Sequence, residues 1–171
     1  GDSGDRACDS YHRYRDDVAL LRAMNLTSYR FSIAWPRIQP EGRGAANSAG
    51  LDYYRRLADA LLEVGIRPFP TLYHWDLPQA LEERGGWPNR DTAARFAEYA
   101  HLVVRALGDR VSDWMLFNEP AIFTLFGYGL GIHAPGLRSR SALLRATHTV
   151  ALAQGEGFRA VKAERPGVRV G

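Results

Sequence analysis

Five chemistry-bearing side chains stand in or just after runs of strand-forming residues. Arg30 lies in Ser28-Tyr-Arg-Phe-Ser-Ile-Ala-Trp35, His74 and Trp75 follow Arg67–Tyr73, and Asn118 and Glu119 follow Val111–Phe117. An arginine, a histidine, aromatics, an asparagine and a glutamate suit a polyhydroxylated ligand. Aromatic faces stack on C–H surfaces while polar tips hydrogen-bond hydroxyls. Glu119 is the sharpest of the set. It precedes Pro120, and the pre-proline restriction predicts an extended backbone aiming the carboxylate out of the strand end. A carboxyl among aromatic walls has its protonated form favoured, which general acid catalysis requires. The other reading of Glu119 is a cap on the helix that follows. Taken singly, His74 also reads as an ordinary histidine, Asn118 as a turn former, and Trp35 and Trp75 as core. Arg30 faces either a barrel interior or the helices, and alternation does not choose.

Composition narrows the alternatives. The 171 residues are 46% hydrophobic and 24% charged, which excludes a disordered chain. Apolar runs are too short for a membrane-spanning helix. One cysteine, Cys8, excludes an intrachain disulfide framework and a multi-cysteine metal site. It also points, as an expectation, to the cytoplasm. The net charge is +3, but the basic residues are dispersed and mixed with acids, so no nucleic-acid stripe forms. His12, His101, His133 and His148 show no metal-ligand spacing. There is no G-x-S-x-G nucleophile elbow.

The elements that must position these residues alternate. Periodicity predicts helices over Asp16–Met24 (with Leu20 and Met24 on the apolar face), Leu51–Val64, Asp91–Leu107 and Ser141–Glu164, with Asp91 as a cap and Asn25 as a left-handed stop. Strands are predicted over Ser28–Trp35, Arg67–Tyr73 and Val111–Phe117, and a fourth opens at Val168. Trp75–Arg90 reads as a loop, a short helix follows Pro120, and Gly127–Gly136 reads as a flexible loop. Strand–helix alternation demands a parallel sheet with right-handed crossovers. The turn after Trp35 carries Pro36 and Pro40 and cannot cradle a pyrophosphate, and the crossovers are long. That favours an α/β (β/α)8 barrel, with its chemistry at the C-terminal strand ends, over a doubly wound sheet.

The motifs together resemble glycoside hydrolase family one, the retaining β-glucosidases. The resemblance is carried by Tyr29–Ile38, by Thr71-Leu-Tyr-His-Trp-Asp-Leu-Pro78 with Gly85-Gly-Trp87, and by Phe117-Asn-Glu-Pro120. Gly127-Tyr-Gly129, His133-Ala-Pro-Gly136 and the opening Ala7–Tyr14 segment add to it. It implies one partial catalytic TIM-barrel domain over residues 1–171, running from the second strand to the start of the fifth. Glu119 would be the acid/base, Asn118 would bind the sugar 2-hydroxyl, and His74 other hydroxyls. Trp75 would shape the subsite wall, Arg30 would hold the nucleophile ionised, and Trp35 is a weaker candidate.

The implied reaction is retaining hydrolysis of terminal β-D-glucosyl, galactosyl or fucosyl residues from a small β-glycoside, with no metal or organic cofactor, no nucleic acid and no membrane partner. A 6-phospho-β-glycosidase and a non-catalytic sugar binder are the alternatives. The family's first strand, with its sugar-binding glutamine, is expected upstream of Gly1. The nucleophilic glutamate of its Thr-Glu-Asn-Gly motif is expected beyond Gly171. The chain begins without Met and ends at Val168–Gly171, so it reads as a piece supplying the acid/base half of the site, inactive alone.

Overall fold

The computed structural model describes residues 7–171; residues 1–6 of the expected domain lie outside the described residues. Helix α1 (Ser10–Ala23) starts six residues before the predicted Asp16, with Asp9 left-handed at φ 50° and accepting from the amides of His12 and Arg13. Its core contacts are Tyr14 and Val18, spaced by one turn, whereas Leu20 and Met24 are exposed. Asn25, at φ 56°, is the left-handed stop that was expected.

Strand β1 (Ser28–Ser32) stops short of Trp35, because Trp35-Pro36-Arg37-Ile38 winds into helix α2 (Trp35–Ile38), with proline in its first turn. Helix α3 (Ser48–Glu63) is capped by the Asn47 side chain, which accepts from the Ala49 amide at 3.2 Å. Strand β2 is Arg67–Tyr73, as predicted. The segment read as a loop holds helix α4 (Gln79–Glu82). Helix α5 (Asp91–Leu107) is not capped by Asp91; the Asn89 side chain accepts the Asp91 amide at 3.0 Å, and Asp91 lies in the first turn. Strand β3 (Asp113–Phe117) leads into helix α6 (Pro120–Thr124) and a π-helical turn at Leu125–Gly129, where the sequence suggested a flexible loop. Helix α7 (Arg140–Glu164) and strand β4 (Arg169–Val170) follow.

The strands form one parallel sheet in the order β1-β2-β3-β4, with each strand beside its sequence neighbour. Consecutive parallel neighbours joined by helices are the connectivity of a (β/α)8 barrel, not of a doubly wound sheet, whose strand order reverses. The core lies between this sheet and the helices. Ile33, Leu72, Trp114 and Leu116 are buried with Phe96, Tyr99 and Val103 of α5. Parallel strands put all their C-terminal ends on one rim, so the ends of β1, β2 and β3 share it. Among the described residues, no helix is long and apolar enough to cross a membrane.

Candidate active site

Arg30 resolves its own ambiguity. Phe31 stacks toward Tyr54 of α3, so Arg30, the preceding residue, projects from the opposite sheet face. Its guanidinium spans the sheet, donating from Nε to Thr71 Oγ1 at 3.0 Å and from Nη2 to Asn118 Oδ1 at 2.8 Å. One side chain thereby ties β1, β2 and the end of β3. The Trp75 indole donates to the Asn118 carbonyl at 2.9 Å, which joins the β2 and β3 ends a second time.

Both strand ends turn through left-handed backbone, at Trp75 (φ 79°) and Glu119 (φ 45°). Such conformations cost a side-chain-bearing residue about 1–3 kcal/mol and collect where function requires them. The extended backbone expected of Glu119 is therefore corrected. The chain must turn at once into α6, and the Glu119 carbonyl accepts from the Ile122 amide at 2.9 Å. Its carboxylate makes no capping hydrogen bond and is exposed. The capping reading of Glu119 thus fails for the side chain and holds only for the backbone.

His74 stands between opposite charges. Partial burial and the Arg30 guanidinium push its pKa below 6.5, and the Glu119 carboxylate pulls it up. Near neutral pH the imidazole is uncharged, with one donor and one acceptor nitrogen, which matches a hydroxyl group. The Trp75 ring, 36% exposed, lies 5.5 Å from His74 and 5.4 Å from His133. A hollow of about 480 Å³ opens at Arg30, Thr71 and His74, and a groove of about 450 Å³ lies at Trp75, Asp76 and His133; Glu119 lines neither. Among the described residues, no group of three or more histidine, cysteine or acidic side chains is placed to hold a metal ion.

The match to glycosyl hydrolase family 1 extends over residues 1–171. The chain belongs to that family. It is 50% identical to β-glucosidase A of Acetivibrio thermocellus over 159 residues (93% of the chain, 36% of that protein). It is 48% identical to β-glucosidase A of Thermotoga maritima over 171 residues (100% of the chain, 38% of that protein). The solved structure of a Thermotoga maritima β-glucosidase in complex with deoxynojirimycin superposes with a TM-score of 0.97 at 44% identity, covering 99% of the chain and 39% of that structure. The chain therefore spans well under half the length of these relatives, and its parallel sheet is part of a TIM barrel.

In this family 1 chain Arg30, His74, Trp75, Asn118 and Glu119 come to one rim, as the sequence suggested. Trp35 does not. It is fully buried, stacked on Tyr99 at 4.9 Å, with its indole on Gln39 Oε1, so it belongs to the core. Sequence reasoning missed Thr71, which accepts from Arg30. It set His133 aside for lack of metal spacing, a criterion blind to a ring packed beside a tryptophan. It also missed a brace beneath the rim. Trp87 donates its indole N–H to the Tyr73 hydroxyl at 3.0 Å and its amide to the Tyr128 hydroxyl at 3.2 Å, and Tyr128 donates to Glu82 at 2.6 Å. The Gly85-Gly-Trp87 motif marked its place without revealing its purpose.

Proposed function

We propose that this chain carries the acid/base half of a retaining β-glycosidase, as a single partial catalytic domain, acting on terminal β-D-glucosyl or closely related residues of a small β-glycoside. The observation that carries the reading is the tie of Asn118 to Arg30 and Trp75, beside an exposed Glu119 within electrostatic reach of His74. The relatives named β-glucosidase, and the solved structures of one of them with deoxynojirimycin and castanospermine, support a sugar ring as the ligand.

Glu119 protonates the glycosidic oxygen as a second carboxylate attacks the anomeric carbon from the opposite face. In retaining enzymes the two carboxyls lie roughly 5–5.5 Å apart. That second carboxylate is assigned to a later strand, outside these residues. Ionised Glu119 then takes a proton from water, which releases the sugar from the covalent intermediate. Asn118, oriented by Arg30, hydrogen-bonds a ring hydroxyl. His74 both donates to and accepts from others, and Trp75 covers the sugar's C–H face. Arg30 is assigned the role of favouring charge on the attacking carboxylate. An exposed, unpaired Cys8 fits the proposed cytoplasmic setting.

The test uses the complete polypeptide carrying this chain. Glu119→Gln lowers kcat/KM on an alkyl β-glucoside, whose leaving group needs protonation, by about 100-fold or more. An aryl glucoside with an acidic leaving group loses far less in the glycosylation step. Equal losses on both substrates would remove Glu119 from the acid role. Sugar binding without turnover in the wild type would favour the binding-module alternative.

A further inference from the structure

The brace beneath the rim ends on Glu82, a residue that nothing in the proposed reaction uses. The half-buried Glu82 carboxylate, on α4, accepts from the Tyr128 hydroxyl at 2.6 Å, and that hydroxyl accepts the Trp87 amide at 3.2 Å. The Trp87 indole carries the chain on to the Tyr73 hydroxyl at 3.0 Å. Tyr73, Trp87 and Tyr128 are all buried. The carboxylate has a seat made for it: Gly86 stands at φ 57°, and a Cβ there would collide with the Glu82 carboxylate. At the other end, Tyr73 closes β2 directly before His74. Its carbonyl accepts the Asn118 amide at 2.9 Å. Its ring meets Phe117, the residue before Asn118, at 5.7 Å, and Phe123 of α6 at 5.1 Å. Tyr128 stands on the π-helical turn that continues α6, the helix that begins immediately after Glu119.

We propose that Glu82 and Tyr128 are positioning residues: their hydrogen-bonded chain through Trp87 to Tyr73 fixes the β2 end against α6 and so sets the spacing of His74 and Glu119 around the sugar. The proposal rests on the functional reading above. Hydrophobic contact among Tyr73, Trp87, Phe117 and Phe123 would hold these elements together without fixing how the rings are turned, because apolar burial is non-directional. Hydrogen bonds are directional, and the link to a carboxylate is of the stronger, charge-assisted kind. Placing polar groups in an aromatic cluster adds little net stability, since each must first be taken out of water. What the chain supplies is one arrangement of the rings. Tyr128 holds from one side the helix that starts at Glu119, and Tyr73 holds from the other the strand end that carries His74.

The test uses the complete polypeptide. Tyr128→Phe keeps the ring and removes both links of the hydroxyl; Glu82→Leu, at a half-buried position, is the second variant should the first not fold. Either is expected to lower kcat/KM on an alkyl β-glucoside by about tenfold, because small displacements of positioned groups are costly to a reaction. Glu82→Gln keeps an oxygen that accepts from Tyr128 and is expected to stay within about twofold of the wild type, so the geometry of the chain is separated from its charge. The His74 titration, read by NMR, gives a readout free of activity. The charges that act on His74 are Arg30 and Glu119, and Tyr128→Phe alters neither. A shifted midpoint in Tyr128→Phe or Glu82→Leu that returns in Glu82→Gln therefore reports displacement of the strand end. A lower melting temperature with kcat/KM and the His74 midpoint both unchanged would reduce the chain to a structural element and overturn the proposal. A loss in Glu82→Gln as large as in Glu82→Leu would overturn it as well. Should the wild type neither turn over a β-glucoside nor bind deoxynojirimycin, the functional reading has failed, and the titration alone decides whether the chain sets the β2 end.

Discussion

His74 senses its neighbours, and that sensitivity is measurable. Its pKa is lowered first by burial and then by Arg30, and raised by Glu119. A histidine whose folded pKa lies below the unfolded value of about 6.5 binds fewer protons when folded, so stability is lost as pH falls through about 6.5 toward the folded pKa. Glu119→Gln removes the raising charge and moves the NMR titration midpoint of His74 further down; Arg30→Met moves it up. A midpoint indifferent to both substitutions would place the imidazole away from these groups. Asp76 has the opposite sign. A carboxyl at about 7 when folded holds a proton that the unfolded chain releases near about 4, so its destabilising effect appears as pH rises through that window. Asp76→Asn therefore raises the melting temperature at about pH 8 and leaves it unchanged at about pH 4. Single residues were partly legible in the sequence. Glu119 stood out by its place at a strand end. The pre-proline rule misjudged its backbone because the demand to start α6 immediately outweighs a local preference. Trp35 and Trp75 look alike in sequence, both aromatic at a strand end. They differ because α2 begins at Trp35 and folds it under, while Trp75 turns outward through φ 79°.

Among elements, the sheet was legible even where local rules argued against it. Pro68 and Pro70 weaken a strand assignment, yet β2 runs Arg67–Tyr73. Both prolines precede the first β2–β3 pair, Thr71 with Met115, so neither removes a donor from that ladder. The polar start of α1 was illegible because its anchors are aromatic: Tyr11 stacks on Tyr53 at 5.0 Å and Tyr14 meets it edge-on. Two element-scale predictions follow from close contacts. At the strand N-termini the buried Asp113 carboxylate accepts from Arg169 Nη2 at 2.8 Å and lies 3.8 Å from Arg67, which joins β2, β3 and β4. Arg169 first, then Ser112 and Arg67, hold its pKa below the usual carboxylate range. That stability is present above about pH 4 and is lost as pH falls through the folded pKa, so Asp113→Asn lowers the melting temperature at neutral pH and has little effect near about pH 2. In α7, a Cβ added at Gly157 would lie 2.7 Å from the Phe96 ring, which packs on Phe117 at 4.4 Å, one residue before Asn118. Helix propensity favours alanine there by about 1 kcal/mol, but overpacking a buried ring costs typically 1–3 kcal/mol. Gly157→Ala is therefore destabilising in a urea melt, against the propensity rule, and a stabilised variant would show that the ring gives way freely.

The molecule as a whole is an open parallel sheet with helices on one face, and this sets what the 171-residue polypeptide can do by itself. Parallel sheets persist when both faces are covered, and an unpaired strand edge invites another chain. Among the described residues β1 pairs only with β2, and Ser28, Arg30 and Ser32 are exposed. The same exposed face carries the proposed sugar-binding residues, so the surface that would hold a substrate is also the surface that leaves the sheet incomplete. The chemistry is likewise one-sided. Two carboxyls must face each other across an anomeric carbon, and Asp76, two residues after His74, is half-buried with its Oδ1 shut off from solvent. The 171-residue polypeptide, expressed without further sequence, is expected to elute as a range of associated species, to bind a hydrophobic dye and to melt without a cooperative transition. It is also expected to hydrolyse an aryl β-glucoside no faster than a buffer blank. A monodisperse, cooperatively melting chain would show that the helical layer suffices to hold four strands. Turnover abolished by Glu119→Gln would be the more consequential result, because it would require a second carboxylate within these residues to act opposite Glu119.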